Sequence, residues 1–371
     1  MISSNMKWKE VLEIKSGKNQ KDVADINGCY PIYGSGGIIG YSKEYLCPAG
    51  TTIIGRKGTI NSPLYVNEPF WNVDTAFGLI PSQQLVSKYL YYFCCYFNFK
   101  ALDKSTTIPS LAKRDLENIE MNVPPLDEQF RIVARIEELF SELDKAVDTL
   151  KTTKEQLEVY RQAVLKNAFS CLPETVEMDK IADMIDPQPS HRTPPEYKNG
   201  IPYIGIGDID YQNKKINFED ARKVSPEVLD EHLHRYTIHK GDFVMGKIGT
   251  IGKPYKIPDE QNYALSANVI LIQPNKEKIY PEFLFWQFSS SLVTKQLTLG
   301  AKATSQPAFG IKKARLLSIK ICELEKQFKI IKRLEAEMSC CDNIEKTVDT
   351  ALAQADAMRQ SILKQAFEET M

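Results

Sequence analysis

The chain has 371 residues, 43% of them apolar, and a formal net charge of −1. That length predicts two to three domains, each able to bury a core. The balanced charge argues against a generic nucleic-acid binder, and no run approaches the ~20 apolar residues of a membrane span.

Residues 1–7 lack an apolar core of the signal-peptide kind, so no signal peptide is expected. The eight cysteines include no CxxC pair. Cys94 and Cys95 are adjacent, as are Cys340 and Cys341, which suits neither chelation nor local disulfides. A reduced cytoplasmic setting is expected, with cysteines as small apolar fillers.

Residues 1–122 are rich in Gly and Tyr. Short β-type runs at 51–54 and 77–80 are separated by Gly, Pro and Asn. A helix is predicted over 86–99 with a dense aromatic face: Tyr89, Tyr91, Tyr92, Phe93, Tyr96 and Phe97. Aromatics at helical spacing read as core or as a base-stacking platform, and the amphipathic pattern favours core.

A long helix is predicted over 126–169, and it recurs. Residues 126–169 and 324–367 align without a gap at an offset of 198, with 17 of 44 positions identical. The shared residues include Gln129/Gln327, Phe130/Phe328, Arg135/Arg333, Asp144/Asp342, Arg161/Arg359 and Phe169/Phe367. A duplication of this length implies two half-molecules on one chain, and hence pseudo-two-fold symmetry. The period is seven. Ile136, Leu143, Leu150, Leu157 and Val164 form one seam; Leu334, Cys341, Val348, Ala355 and Ile362 form the other. Such heptads point to a coiled coil, and without Pro or Gly each helix spans about 66 Å. Two matched seams predict intramolecular antiparallel pairing. Separate packing of each helix on its own domain and oligomerisation are the alternatives.

The second half repeats the plan. Strands are predicted over 242–245 and 269–272, and a helix over 281–297 carrying Phe283, Phe285, Trp286 and Phe288. Gly55-Arg56-Lys57-Gly58-Thr59-Ile60 matches Gly246-Lys247-Ile248-Gly249-Thr250-Ile251 at offset 191. The same offset pairs Thr75-Ala76 with Ser266-Ala267, and offset 198 pairs residues 107–111 with 305–309. The expected fold is α/β (α+β): two domains with small mixed sheets, separated by two long antiparallel coiled-coil helices. The divisions are 1–122, 123–170, 171–320 and 321–371.

Catalytic chemistry is not legible. Val123-Pro124-Pro125-Leu126 and Thr193-Pro194-Pro195-Glu196 do not fit the Asn/Asp-Pro-Pro-Tyr/Phe motif of a methyltransferase. Gly34-x-Gly36-Gly37-x-x-Gly40 lacks dinucleotide-binding spacing, and GxxxxGK[ST] is missing. Pro258-Asp259 has no (D/E)xK nearby. His232, His234 and His239 lack a well-spaced fourth ligand and read as a solvated helix-and-turn segment rather than a metal site. No cofactor and no metal are expected.

Pro124-Pro125-Leu126-x-Glu128-Gln129-x-x-Ile132-Val133, running into Arg161-Gln162-Ala163-Val164-Leu165-Lys166-x-Ala168-Phe169, resembles the central conserved region of the specificity (S) subunit of type I restriction-modification systems. The C-terminal copy resembles the distal conserved region, although Cys322-Glu323-Leu324 replaces the proline pair. Two further segments resemble two classes of the family's target recognition domain. One is Gly28 to Tyr41 followed by Ile53 to Ile60. The other is Thr193-Pro194-Pro195-Glu196-Tyr197 followed by Ile201 to Ile209. The order of motifs covers almost the whole chain.

The resemblance implies a non-catalytic subunit that reads a bipartite site in double-stranded DNA, one half-site per domain. It implies helices that set the spacer and dock two methyltransferase (modification) subunits, with restriction subunits joining through them. A coiled-coil scaffold with protein-binding heads and a fused specificity–catalysis enzyme are the rivals.

Binding residues follow from side-chain chemistry. Arg56 and Lys57, flanked by glycines and followed by Thr59, suit a phosphate or a guanine edge. Lys247 and Thr250 take the equivalent places in the second half, with Lys253 nearby. Tyr33, Ser35 and Gly36 offer a phenol, a hydroxyl and backbone N–H groups. Thr304, Ser305 and Gln306 form a polar loop in which Gln306 suits bidentate pairing with adenine. Each also reads as an ordinary surface turn.

Overall fold

The computed structural model describes residues 4–300 and 308–368. Two compact units emerge, Met1–Lys151 with Val348–Met371 and Thr152–Thr347. The division cuts both long helices. Each unit therefore holds one head, part of one long helix and the complementary part of the other.

In the first unit, strands Leu12–Ser16, Ala76–Pro81, Thr51–Gly55 and Leu64–Val66 form an antiparallel sheet in that spatial order. Thr51–Gly55 is buried at every position, as expected of an apolar run covered on both faces. A second sheet places Tyr30–Gly34 between its hairpin partner Gly37–Ser42 and the parallel strand Trp71–Asn72. Ser4–Lys7 pairs with Glu120–Val123 and closes the head at its chain ends.

The aromatic helix is Ser87–Tyr96, and it buries Tyr89, Leu90, Phe93 and Cys94. The aromatic face is thus core, each such ring contributing roughly 1.5–3 kcal/mol. The helix stops before the predicted residue 99. Asn98 accepts from Lys100 N through its side chain and starts a separate 3-10 turn, Phe99–Leu102. Asn61 takes the Phe99 N–H at 2.7 Å.

The second unit repeats this topology. Ala182–Ile185, Val269–Pro274, Phe243–Gly246 and Pro254–Lys256 form the four-stranded antiparallel sheet. Ile201–Ile204 pairs in parallel with Ala264–Leu265 and antiparallel with Lys223–Val224. Glu174–Glu177 and Ser318–Ile321 close the head. The helix predicted over 281–297 is two helices, Pro281–Phe288 and Ser291–Gly300. The break falls at Ser289-Ser290, where the Ser290 hydroxyl donates to the Gln287 carbonyl at 2.6 Å and competes with helix continuation.

The long helices are Leu126–Ser170 and Leu324–Glu368. In the first unit Ile132, Val133 and Ile136 share a core with Ile362, Leu363 and Ala366. Further along, Arg359 lies over the Phe140 ring and bonds Asp144. In the second unit Val164, Leu165 and Phe169 share a core with Ile331, Leu334 and Met338. Within each unit the two helices therefore run antiparallel. All ten predicted seam residues are buried or half-buried, including Ile136 and Leu334 at 0% and 1% exposure.

A buried glutamine opens each long helix. Gln129 Oε1 accepts the Val86 N–H at 2.8 Å, and its amide donates to Gln84 O and Pro124 O at 2.9 and 2.8 Å. Gln327 does the same with Tyr280 N, Lys278 O and Cys322 O at 3.0, 3.1 and 2.7 Å. Val86 and Tyr280 immediately precede the aromatic helices. Each glutamine thus satisfies an otherwise orphaned N-terminal donor while pinning helix to head. A phenylalanine closes each long helix. Phe169 meets Phe283 edge-on at 5.3 Å, and Phe367 packs on Tyr89 and Phe93 at 5.2 and 5.5 Å.

Candidate nucleic-acid interface

The strand Thr51–Gly55 ends where only glycine fits. A Cβ at Gly55 would lie 2.0 Å from the Thr59 carbonyl oxygen. The loop turns at Gly58, whose φ of 80° is left-handed, and nothing lies within 4 Å of where its Cβ would be. Backbone bonds clamp it from two sides. Arg56 and Lys57 N–H donate to Thr75 O at 2.8 and 3.2 Å, and Gly58 N–H donates to Pro109 O at 2.8 Å. Leu111 N–H donates to Arg56 O at 2.9 Å.

The second head builds the same loop. A Cβ at Gly246 would lie 1.6 Å from Thr250 O, and Gly249 has φ 78° with open space above it. Lys247 N–H donates to Asn268 O at 2.8 Å, and Phe309 N–H donates to Lys247 O at 2.9 Å. The match at offset 191 therefore holds at the loop, and the match at offset 198 holds for Ser110 with Ala308 and Leu111 with Phe309, residues 305–307 lying outside the described ones. The flanking match is corrected. Thr75 is structurally equivalent to Asn268, not Ser266, because the segment between strand and loop is two residues longer in the second head.

The side chains differ. Arg56 is half-buried; its guanidinium lies 5.8 Å from the Phe77 ring centroid and donates to Asp74 O at 3.4 Å. Lys57 and Thr59 are exposed. Lys247 is buried, and its Nζ pairs with Asp186 Oδ2 at 2.6 Å. Lys247 lines a surface pocket of about 300 Å³ together with Asp186, His191, Lys312 and Lys313. Thr250 and Lys253 are exposed, and Lys253 Nζ lies 4.1 Å from the Tyr211 ring centroid in cation–π contact.

Tyr33, Ser35 and Gly36 sit at the tip of the Tyr30–Gly34 hairpin. The Tyr33 ring stands edge-on to Phe70 at 5.4 Å, and burial raises its hydroxyl pKa. Val73 N–H donates to Tyr33 O at 3.0 Å, two residues before Thr75 receives Arg56. One short segment, Val73 to Thr75, thus carries hairpin tip and loop side by side. In the second head Ser266 N–H donates to Ile204 O at 2.8 Å, two residues before Asn268 receives Lys247. The counterpart of the first head's tip is therefore Gly205 to Asp208, where Gly205 N–H donates to Asp208 Oδ2 at 2.7 Å. These residues were legible only as a sequence motif, without a role. Thr304, Ser305 and Gln306 lie outside the described residues.

Around each loop stand basic side chains that pattern reading missed. Lys113 and Arg114 are exposed on the short helix Lys113–Glu117, just after the Pro109 to Leu111 clamp. Lys312 and Lys313 are exposed on Ile311–Ala314, just after Phe309. The helix repeat could have revealed this match, since offset 198 carries Arg114 onto Lys312.

His232 is not solvated. It is buried, bonded to Tyr236 Oη at 2.8 Å and Gln188 Oε1 at 2.9 Å, and burial then Arg235 lower its pKa to about 4. No group of three or more His, Cys, Asp or Glu among the described residues could hold a metal ion. No helix among them is long and apolar enough to cross a membrane.

A family model described as "Type I restriction modification DNA specificity domain" matches residues 3–159 and 173–354. The EcoBI type I restriction enzyme specificity subunit of Escherichia coli is 24% identical over 345 residues, spanning 85% of this chain and 72% of that protein. The MjaVIII specificity subunit of Methanocaldococcus jannaschii is 25% identical over 314 residues, spanning 78% and 69%. Among solved structures, a chain from a study of complex assembly and conformational transition of the type I R-M system superposes with a TM-score of 0.75. It has 15% identity, and the match covers 100% of this chain and 98% of that one. The HsdS subunit of Thermoanaerobacter tengcongensis gives 0.55 at 16% identity, covering 100% and 97%. At these identities the superpositions bear on the fold.

Proposed function

This chain belongs to the type I restriction modification DNA specificity family, and from that membership we propose that each of its heads reads one half of a bipartite site in double-stranded DNA. The chain is a DNA-recognition subunit. The observation that carries the two-part reading is the duplication itself: two matched segments, two heads of one topology, two copies of one loop. Topology is shared while surface side chains differ, as two different half-sites require.

Two modification subunits are the proposed protein partners, with restriction subunits recruited through them. The support is the repeated outer surface of the helices. Phe130 and Phe328, 198 residues apart in the repeat, are 59% and 49% exposed at the fifth position of each long helix. Two like surfaces suit two copies of one partner. The proposed role is reading and assembly, with methylation and cleavage carried by the partners. Unbroken helices of 45 residues each support the further proposal that they fix the unread spacer.

The test is a map of methylated adenines in cells with the intact system and in cells lacking this chain. The reading expects a single bipartite motif that disappears with the chain. Unchanged methylation would overturn it.

A further inference from the structure

The two heads share a topology, and within it one loop keeps its sequence pattern while the side chains around it have diverged. Gly55 to Ile60 and Gly246 to Ile251 have the same closed turn, the same left-handed second glycine and the same two flanking backbone bonds, Arg56 or Lys247 N–H to Thr75 or Asn268 O and Leu111 or Phe309 N–H to Arg56 or Lys247 O. The tip is also the same chemically. Gly58-Thr59 and Gly249-Thr250 are all exposed. The Thr59 and Thr250 hydroxyls have no hydrogen-bond partner among the described residues.

We propose that this loop is a sequence-independent phosphate anchor, repeated once per head, and that base reading falls to the segments in which the heads differ. The proposal rests on the reading that the heads bind different half-sites. A tip alike in backbone and exposed group cannot carry the difference between two sequences. What it offers suits the common feature of all duplexes, the phosphodiester. A glycine with no atom near its Cβ position lets the backbone approach closely, and a hydroxyl and nearby cations contact phosphate oxygens.

The cations are present in each head. Lys57 has no ion pair among the described residues, and Lys113 and Arg114 follow the clamp segment. In the second head Lys312 and Lys313 follow it. By contrast, the hairpin tip in the first head bears exposed Ile38 and Ile39. The second head has Gly205 to Asp208 and an extra hairpin, Ile209–Asp210 with Lys215–Ile216. Apolar side chains suited to thymine methyls and polar ones suited to base edges occur there, where the heads diverge.

The experiment uses the full chain assembled with its modification subunits, and fluorescence anisotropy on a duplex carrying the mapped site. Companion duplexes carry one changed base pair in either half-site. Lys57→Gln and Lys312→Gln are both exposed and leave the fold intact. Each should lower the slope of log affinity against log salt by about 0.9, weaken all duplexes by the same factor, and leave the methylated motif unchanged. Thr59→Val should weaken all duplexes equally without changing the slope. A methylated motif altered at one half-site would overturn the anchor, as would unchanged slope and affinity in both lysine variants. A wild-type complex without sequence preference would instead defeat the two-half-site reading, and the variant slopes would still report on the anchor.

Discussion

Arg161 and Asp342 meet at 2.7 Å, and the other guanidinium nitrogen reaches Glu345 at 2.9 Å. In the other unit Arg359 bonds Asp144. Each partner maps onto its counterpart at the repeat offset, so one interhelix contact is used twice with the roles exchanged. That is the signature of an antiparallel pair descended from a duplication. Asp342 is further tied to Lys214 at 2.6 Å, which joins a hairpin of the second head to the helix. The first contact is half-buried, with the Arg161 side chain 17% exposed.

A double-mutant cycle of Arg161→Ala and Asp342→Ala, read by thermal unfolding, should give a coupling of about 1 kcal/mol. Each single change removes a second contact as well, Arg161 to Glu345 in one and Lys214 to Asp342 in the other, so only the coupling isolates the pair. A coupling indistinguishable from zero would mean that solvent screens the pair completely.

Replacing Gln129 by Leu should destabilise the first unit by about 3 kcal/mol, since it orphans the Val86 N–H and two carbonyls in a buried setting. Gln327→Leu should do the same in the second. Gln129→Glu keeps the acceptor but loses both donors, and should be nearly as costly. Chemical denaturation checks this, and a loss under 1 kcal/mol would show that water reaches these groups.

His232 sets a pH dependence for the second head. Its folded pKa is about 4, against an ordinary value of 6.5. The unfolded chain therefore binds the proton first as pH falls. Stability is full above 6.5 and declines toward pH 4 by up to about 3 kcal/mol, then levels off. His232→Gln should flatten this slope between pH 6.5 and 4 in unfolding curves. A slope unchanged in the variant would assign the acid sensitivity to other groups.

The helix repeat was legible because heptad spacing is local, and the seam residues lie where the period puts them. Val348 is 4% exposed and Ala355 6%. The shared loop was legible because its glycines are dictated by backbone crowding, which leaves a sequence trace. Partner choice left none. Lys247 reads as a surface base, yet its Asp186 partner is 61 residues distant and the pair is internal. Gln129 and Gln327 show as repeat identities, but their clamp depends on carbonyls brought close only by folding. The break at Ser289-Ser290 was missed because serine is tolerated in helices and its hydroxyl decides the matter only in context.

Val348→Asp places a carboxylate in the seam of the first unit and should cost several kcal/mol. Leu143→Asp, at a half-buried position, should cost less. Assembly with the modification subunits, followed by size-exclusion chromatography, should fail for Val348→Asp while the second unit's unfolding transition persists. Normal assembly of a chain carrying both changes would mean that these positions do not hold the helices together.

The heads should be exchangeable if the joints are respected. The first head is closed by Ser4–Lys7 on Glu120–Val123, so a transplant must carry both strands and end at the following proline pair. It must also accept two contacts from the helices. Gln129 needs the N–H that starts the aromatic helix, and Phe367 needs the face formed by Tyr89, Phe93 and Tyr96. A foreign head that keeps the aromatic helix, joined at residue 123, should alter one half-site of the methylated motif and leave the other half-site and the spacer as they were. A foreign head lacking an aromatic at the Phe93 position should fold less stably by about 3 kcal/mol or more, because Phe367 then faces a cavity. Methylation mapping of the first chimaera checks the half-site, and thermal unfolding of both chimaeras checks the stability difference. A change in both half-sites from the first chimaera would show that the heads do not read independently.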